Sequence, residues 1–415
     1  MMGLSPPALS AAACGLAPKH AGLTYVVGSP VGFRGRPLPV FAREVCAFLA
    51  RLSEGLMADR EAKAFSDLVS FAWWCRKASI ERQAAPYRDG TLRLGRGVAF
   101  HVTPSNVPVN YLFSWAFSLL AGNANLVRLP ERNFPQTTVA LKHLQALFED
   151  ADFAELRAMN AFVSYGRDTE INAALSAIAD VRIVWGADET VASIRKAPLP
   201  PRGIDVAFAD RYSFCVLGAQ TVRECSDAEL GRLATAFYND TYLMDQNACS
   251  SPRLVVWLGD PDHAREAKRR FWTALELEVK RRYELAIVSA MDKFTQACRD
   301  AIELGNLSSL QRYDNDIYLL ELDSLPSGIE TRRCGAGYFY EYVTNNLDDV
   351  APIVTRKYQT LTRFGVDKAV LASLVERHRM TGIDRIVPVG SAMDIGLIWD
   401  GYELVRTLSR ICYVE

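Results

Sequence analysis

The sequence predicts an α/β protein made of two open α/β domains with a cleft between them, and three observations carry that expectation. Its 415 residues exceed the roughly 100–200 residues that one ordinary core supports. Segments of strand and helix character alternate from residue 98 to residue 185, which is the mark of parallel βαβ units. After a Pro-rich stretch at 198–202, read as a linker, the alternation starts afresh near residue 213.

The elements follow in order. From residue 40 to about 85, Phe41, Val45, Phe48, Leu49 and Leu52, then Phe65, Leu68, Val69 and Ala72, recur at helical spacing, with Gly55 and Asp59 between the runs. This helical pair, within residues 1–90, is expected to pack on the first α/β domain, residues 91–212. There GVAFHVTPSNVPVNYLFSWAFSLLAGNANLVRLPE reads as a strand over 98–102, a loop over 103–108, a buried helix over 109–120, a Gly-Asn turn and a strand over 126–129. A helix over 135–148, a strand over 161–164 that ends in Gly166, a helix over 169–179 and a strand over 181–185 continue the pattern. The second domain, residues 213–390, has a strand over 213–218, a helix N-capped by Asp227 reaching about 243, and a strand over 254–258. Long helices within 262–304 and strands over 317–322 and 386–389 follow, and a tail, 391–415, carries a last helix from Trp399.

Composition narrows the function. Lys plus Arg total 47 against 48 Asp plus Glu, so no broad charge points to nucleic acid or an anionic membrane. The nine cysteines show no CxxC spacing, which argues for a reducing, cytoplasmic setting rather than a disulfide framework. The opening MMGLSPPALSAAACGLA lacks a basic start before an apolar run, and the apolar block 111–121 falls short of the ~20 residues a bilayer requires, so neither a signal peptide nor a membrane span is expected. The five histidines (20, 101, 143, 263, 378) have no metal-ligand spacing, and no metal is expected. Phosphate-loop, GxSxG and GxGxxG motifs are absent.

Three subtler signals remain. In DQNACSSPRLVVWL, Cys249 sits in a short polar turn between a helix and a strand, where a thiol can act as nucleophile while backbone N–H groups face an incoming oxygen; a small buried cysteine fits the position as well. In VTPSNVPVN, Asn106 follows a strand of the parallel sheet, placed either to donate to an oxyanion or to close an Asx-turn or cap a helix. In NLVRLPERN, Arg128 and Glu131 stand where a dinucleotide fold holds the adenosine ribose or its 2′-phosphate, unless they are simply a solvated ion pair.

These segments resemble the aldehyde dehydrogenase superfamily, and within it the acyl-CoA reductase family that supplies fatty aldehyde to bacterial luciferase. The resemblance runs from about Gly95 to the C-terminus. TPSNVPVNYLFSWAFSLLAGNANLVRLPE is similar to the run P-W-N-x-P, A-x-x-A-G-N, K-P-x-E, and VRIVWGADETVASIRK to the F-T-G-S-T strand and loop. YNDTYLMDQNACSSPR resembles the catalytic-cysteine region, while KYQTLTRFG and GIDRIVPVGSAMDIGLIWDGY resemble the acyl-CoA reductases specifically. The resemblance implies an aldehyde dehydrogenase-like fold, Cys249 as the acylated nucleophile and Asn106 as oxyanion donor. It also implies a nicotinamide site at Thr103, Pro104, Arg128, Glu131, Gly166, Gly186 and Ala187.

Two departures bear on the chemistry. Arg128 replaces the superfamily lysine, which favours NADPH, with NADH as the alternative. VAFADRY replaces E-L-G-G-K, so Ala207 falls near where hydrolytic members place a glutamate. Without a base to activate water, an acyl-cysteine survives to meet hydride. His101 and Glu341 are the remaining candidates for that base, although His101 reads better as packed at a strand end. The expected function is therefore NADPH-dependent reduction of an acyl thioester, from acyl-CoA or an acyl-enzyme, to an aldehyde. The alternatives are NAD-dependent oxidation of an aldehyde and a non-reducing acyl-transfer or scaffold subunit. An acyl-protein synthetase or ligase partner and a homo-oligomer are also implied by the resemblance. The Cys249 thiol is expected below its free value of about 8.5, drawn down by backbone dipoles. Tyr111, Phe113 and Trp115 suit either an apolar acyl tail or a core.

Overall fold

The computed structural model describes residues 22–29, 31–104 and 107–415. The chain divides into two compact units between Ala209 and Asp210, and residues 402–415 return to the first. The N-terminal helices and residues 402–415 are thus parts of the first unit, whereas residues 391–401 of the expected tail belong to the second.

In the first unit β1 (Thr24–Val27) precedes α1 (Arg43–Ala58), α2 (Arg60–Lys63), α3 (Ser66–Trp74), α4 (Lys77–Ala84) and the short β2 (Arg93–Gly95). Then come β3 (Val98–Val102), α5 (Asn110–Leu120), β4 (Ala124–Arg128), α6 (Pro135–Glu149), α7 (Ala154–Ala158) and β5 (Asn160–Ser164). The series ends with α8 (Thr169–Ala177), β6 (Val181–Trp185), α9 (Asp188–Arg195) and β7 (Ile204–Phe208). The sheet order is β1-β5-β4-β3-β6-β7, parallel throughout except for β1. From β3 the chain moves outward through β4 to one side and through β6 to the other. Loops leaving β3 and β6 therefore diverge, and a crevice opens at their carboxyl ends.

The helix α5 is apolar all round, and Tyr111 through Leu120 are all buried. Tyr111, Phe113 and Trp115 are core residues, with Phe48 and Phe162 set edge-on to the Trp115 ring. The imidazole and amide side chains sealed in this core are paired, whereas the buried hydroxyls of Tyr111 and Ser118 have no partner among the described residues. His101 bonds Ser114 at 2.8 Å and Asn125 at 3.1 Å, and Asn160 accepts from both Asn125 and Trp115. Burial holds the His101 imidazole neutral, with its pKa lowered to about 4, which fits packing rather than proton transfer. At the Gly-Asn turn, Gly122 adopts φ +87°, and a Cβ there would come 2.1 Å from the Leu38 carbonyl oxygen.

The second unit contains β8 (Tyr212–Gly218), α10 (Ala219–Glu224), α11 (Asp227–Thr241), β9 (Pro252–Leu258), α12 (Pro261–Arg282) and α13 (Ile287–Glu303). It continues with β10 (Leu307–Tyr313), β11 (Ile317–Leu322), β12 (Tyr338–Thr344), β13 (Tyr358–Phe364), α14 (Lys368–Arg377) and β14 (Arg385–Pro388). The sheet order is β10-β11-β12-β9-β8-β13-β14, with β10 the antiparallel edge. Alternate residues feed two cores: Phe214, Leu254 and Tyr340 on one face, and Cys215, Val255, Trp257 and Phe339 on the other.

Several sequence expectations change. The stretch 198–202 is not the junction, because β7 follows it inside the first unit. Ser226, not Asp227, caps α11: it forms a reciprocal capping box with Glu229, whose carboxylate accepts from the Ser226 N–H at 2.9 Å. The helix expected from Trp399 is broken at Gly401, φ +75°, so only Leu404–Leu408 (α15) is helical. A strand, Ser409–Ile411, then pairs antiparallel with β2. Among the described residues no helix is long and apolar enough to cross a membrane, and no group of side chains could hold a metal ion.

Candidate active site

The loops leaving β3, β4 and β6 enclose a hollow of about 440 Å³, lined by six of the residues singled out from the sequence: Thr103, Pro104, Arg128, Glu131, Gly186 and Ala187. The seventh, Gly166, is joined to them through its carbonyl, which accepts from Arg128 Nη2 at 3.1 Å. Asn106 lies outside the described residues. The Arg128 guanidinium is engaged through Nη2, while its buried Nε has no partner among the described residues. Its Nη2 meets Glu131 Oε1 at 2.5 Å, and its Cζ stands 4.5 Å from the Tyr165 ring centroid. The Thr103 hydroxyl donates to the Arg128 carbonyl at 2.7 Å, tying the ends of β3 and β4 together.

The sequence reading missed Arg167, which lines the same hollow. Its side chain is exposed, and none of the described carboxylates pairs with it. The position follows Gly166 directly, so the strand end was visible, but nothing local distinguished this arginine from an ordinary surface charge.

Cys249 occupies the turn that enters β9 at its amino end, and it is half-buried. Asp245 and Gln246 turn the chain with φ +49° and +58°. The buried Gln246 side chain then bolts the turn to β12. Its amide donates to the carbonyls of Pro252 at 2.9 Å and Tyr338 at 3.0 Å, and its oxygen accepts from the N–H groups of Gly337 and Tyr338, each at 3.0 Å. Arg253 donates to the Gln246 carbonyl at 2.7 Å, and Ser213 on β8 donates to the Cys249 carbonyl at 2.7 Å.

The sulfur faces groups from distant parts of the chain. Gln359 Nε2, on β13, reaches Cys249 Sγ at 3.4 Å and also donates to Asp400 Oδ1. Arg211 Nε stands 4.0 Å from Asp400 Oδ1. Burial first, and then the negative charge of Asp400, push the Cys249 thiol up to about 11, against the lowering effect of the Gln359 hydrogen bond and of Arg211. The expected depression of the thiol is thus overturned: surrounding bulk and a carboxylate outweigh the dipoles. Asp400 was not foreseen. Of the earlier candidates for a base, Glu341 is sealed between Trp257, Trp272 and Lys268, with contacts of 2.7, 2.8 and 3.1 Å. Ala207 lies on β7 opposite Val184.

Residues 81–411 match the family model described as acyl-CoA reductase (LuxC). A long-chain acyl-protein thioester reductase from Vibrio harveyi is 23% identical over 313 residues, covering 72% of this chain and 61% of its own length. The chain therefore spans less than two thirds of that relative. Among solved structures, a NAD-dependent benzaldehyde dehydrogenase from Corynebacterium glutamicum superposes with a TM-score of 0.59 at 14% identity, covering 89% of this chain and 84% of that one. Lactaldehyde dehydrogenase from Escherichia coli gives 0.60 at 12% identity, with coverage of 91% and 87%. A Bradyrhizobium japonicum proline utilization A mutant gives 0.63 at 17%, covering 89% of this chain but only 42% of its own. The fold is that of the aldehyde dehydrogenases.

Proposed function

We propose, since the chain belongs to the acyl-CoA reductase (LuxC) family, that it reduces an acyl thioester to an aldehyde through an acyl group held on Cys249. One observation carries the reading: a half-buried thiol in a turn braced by Gln246, with an amide N–H directed at its sulfur. Cys249 Sγ attacks the acyl carbon, its proton passes to the departing thiol, and the bond to that thiol breaks. A reduced nicotinamide, when bound, supplies hydride to the acyl carbon. The Sγ–C bond then breaks, and the aldehyde leaves as the sulfur takes back a proton.

The hollow in the first unit suits a dinucleotide. It lies at the switch point of an open parallel sheet, its volume of about 440 Å³ is that of a small-molecule site, and Gly186 leaves the backbone accessible beside it. Thr103 and Arg128 fix the hollow's rim, and Arg167, with which none of the described carboxylates pairs, offers a cation for phosphate. Arg128 is less suited to that task than its sequence position suggested, because Glu131 already answers its charge. We therefore assign the NADPH preference to Arg167 more than to Arg128. Coenzyme A or an acylated protein thiol is the donor in this reading.

Oxidation of an aldehyde to an acid gains one point from Asp400, a carboxylate beside the sulfur, but Gln359 already occupies its Oδ1. The test is intact-mass analysis after incubation with long- and short-chain acyl-CoA, followed by addition of NADPH. One acyl mass gained at Cys249 and released as aldehyde is expected. Absence of the adduct, or release as acid alone, would refute the reading.

A further inference from the structure

We propose that Gln359 and Asp400 form a two-part setting for the Cys249 sulfur: the Gln359 amide is a catalytic donor to the sulfur, and Asp400 is a positioning residue that aims it and opposes free negative charge there. This rests on the reading of Cys249 as nucleophile. A primary amide has two N–H bonds, and here both are committed, one to Sγ at 3.4 Å and the other to Asp400 Oδ1. The amide oxygen accepts from the Thr360 hydroxyl at 3.2 Å. A carboxylate cannot bond to an amide oxygen, so Asp400 fixes which end of Gln359 meets the sulfur. Gln359 is wholly buried near the amino end of β13, between β8 and β14, and has no room to turn away.

The charges around the sulfur are Asp400, Arg211, Arg385 and Arg253. The arginines are largely committed elsewhere. Arg385 donates to the carbonyls of Ser391, Ala392 and Asp394 and lies 4.3 Å over the Trp399 ring. Arg211 pairs with Asp384 and donates to the Tyr358 carbonyl at 3.2 Å. Arg253 holds the carbonyls of Gln246 and Cys334. Among the described residues, Gln359 is therefore the group in direct donor contact with the sulfur.

The two parts act with opposite sign. An N–H bond to sulfur is stronger when the sulfur is charged, so Gln359 stabilises the thiolate both as it attacks and as it leaves the product. Asp400 raises the energy of a free thiolate, which favours the two neutral forms, protonated and acylated. The resting sulfur is thereby kept unreactive toward adventitious electrophiles while its donor stays in place.

The experiment measures the pH dependence of iodoacetamide alkylation at Cys249, read by mass mapping of its peptide in the full chain. Gln359→Met should slow alkylation about tenfold at neutral pH and move the profile to higher pH. Asp400→Asn keeps an acceptor for the amide but removes the charge, so alkylation should speed up about fivefold and the profile should move to lower pH. A structural role alone would move neither profile. An unchanged profile in Gln359→Met, or slower alkylation in Asp400→Asn, overturns the proposal. If Gln359→Met fails to fold, Asp400→Asn decides alone, because it keeps the shape and an oxygen acceptor for the amide while removing the charge that dominates the expected shift. The assay contains no acyl donor and no nicotinamide. Normal shifts combined with absent aldehyde formation would count against the reductase reading and leave this one standing.

Discussion

The hollow of the first unit and the thiol turn of the second are both set at the end of an open parallel sheet, yet at opposite ends and by different means. The hollow lies at the carboxyl ends of β3 and β6, where strand order alone parts the loops. Cys249 lies at the amino end of β9, beside Ser213 near the start of β8 and Gln359 near the start of β13. No topological rule opens a site there. Side chains from segments far apart in sequence build it, and each has a partner it cannot lose without leaving a buried polar group unpaired. The first site should therefore tolerate single substitutions better than the second.

The largest expected effect separates the two outright. Cys249→Ala should lower aldehyde formation by at least about a thousandfold while leaving dinucleotide affinity in the first unit unchanged. A comparison of steady-state rates with fluorescence titration of NADPH checks both halves. Substantial turnover in this variant would remove Cys249 from the chemistry, and lost dinucleotide binding would mean that the two sites are not independent.

The pH dependence comes next. Only the thiolate is nucleophilic, and this thiol is raised to about 11. Below that value alkylation of Cys249 should rise about tenfold with each pH unit, and it should still be climbing where free cysteine, at about 8.5, has levelled off. A plateau at or below neutral pH would show that the carboxylate and the surrounding bulk do not govern the sulfur.

Gln246→Ala tests whether the thiol turn is made by side chains. It deletes four hydrogen bonds and strands the N–H groups of Gly337 and Tyr338. A loss of about 2–4 kcal/mol is expected in chemical denaturation, with altered alkylation of Cys249 even in the folded protein. A change within about 0.5 kcal/mol would mean the turn holds itself.

The same contrast explains what the sequence made legible. The core of the first unit announced itself: α5 is apolar on every side, and the strands flanking it are short apolar runs, so the loops that follow them could be placed within a residue or two. Strands with mixed character were not visible. In β12 the buried Glu341 interrupts an apolar run, satisfied by Trp257, Trp272 and Lys268 from other elements. Neither β10, an exposed polar edge, nor β13, which carries Gln359 and two threonines, follows a clean alternation. Cys249 was legible from its turn. Gln359, Asp400 and Arg211 were not, because their proximity to it is a property of strand order, and strand order is not written in local pattern.

The smallest expected effect concerns the hollow itself, where the sequence pointed at Arg128 and the structure adds Arg167. Both line the cavity, but their electrostatic states differ. Arg128 has a carboxylate at 2.5 Å and a side chain only 12% exposed, whereas Arg167 stands exposed, with no described carboxylate paired to it. A 2′-phosphate would have to displace Glu131 to gain full interaction with Arg128, and it would meet Arg167 without that cost. Arg167→Ala should therefore weaken NADPH about tenfold while changing NADH little. Glu131→Gln should do the reverse and favour NADPH several-fold, by releasing the Arg128 charge. Dissociation constants for both dinucleotides across the two variants separate the possibilities. Equal losses of NADPH and NADH in Arg167→Ala would return the preference to Arg128, and a Glu131→Gln variant that binds NADPH no better would show that the Arg128–Glu131 pair is only a brace for the loop after β4.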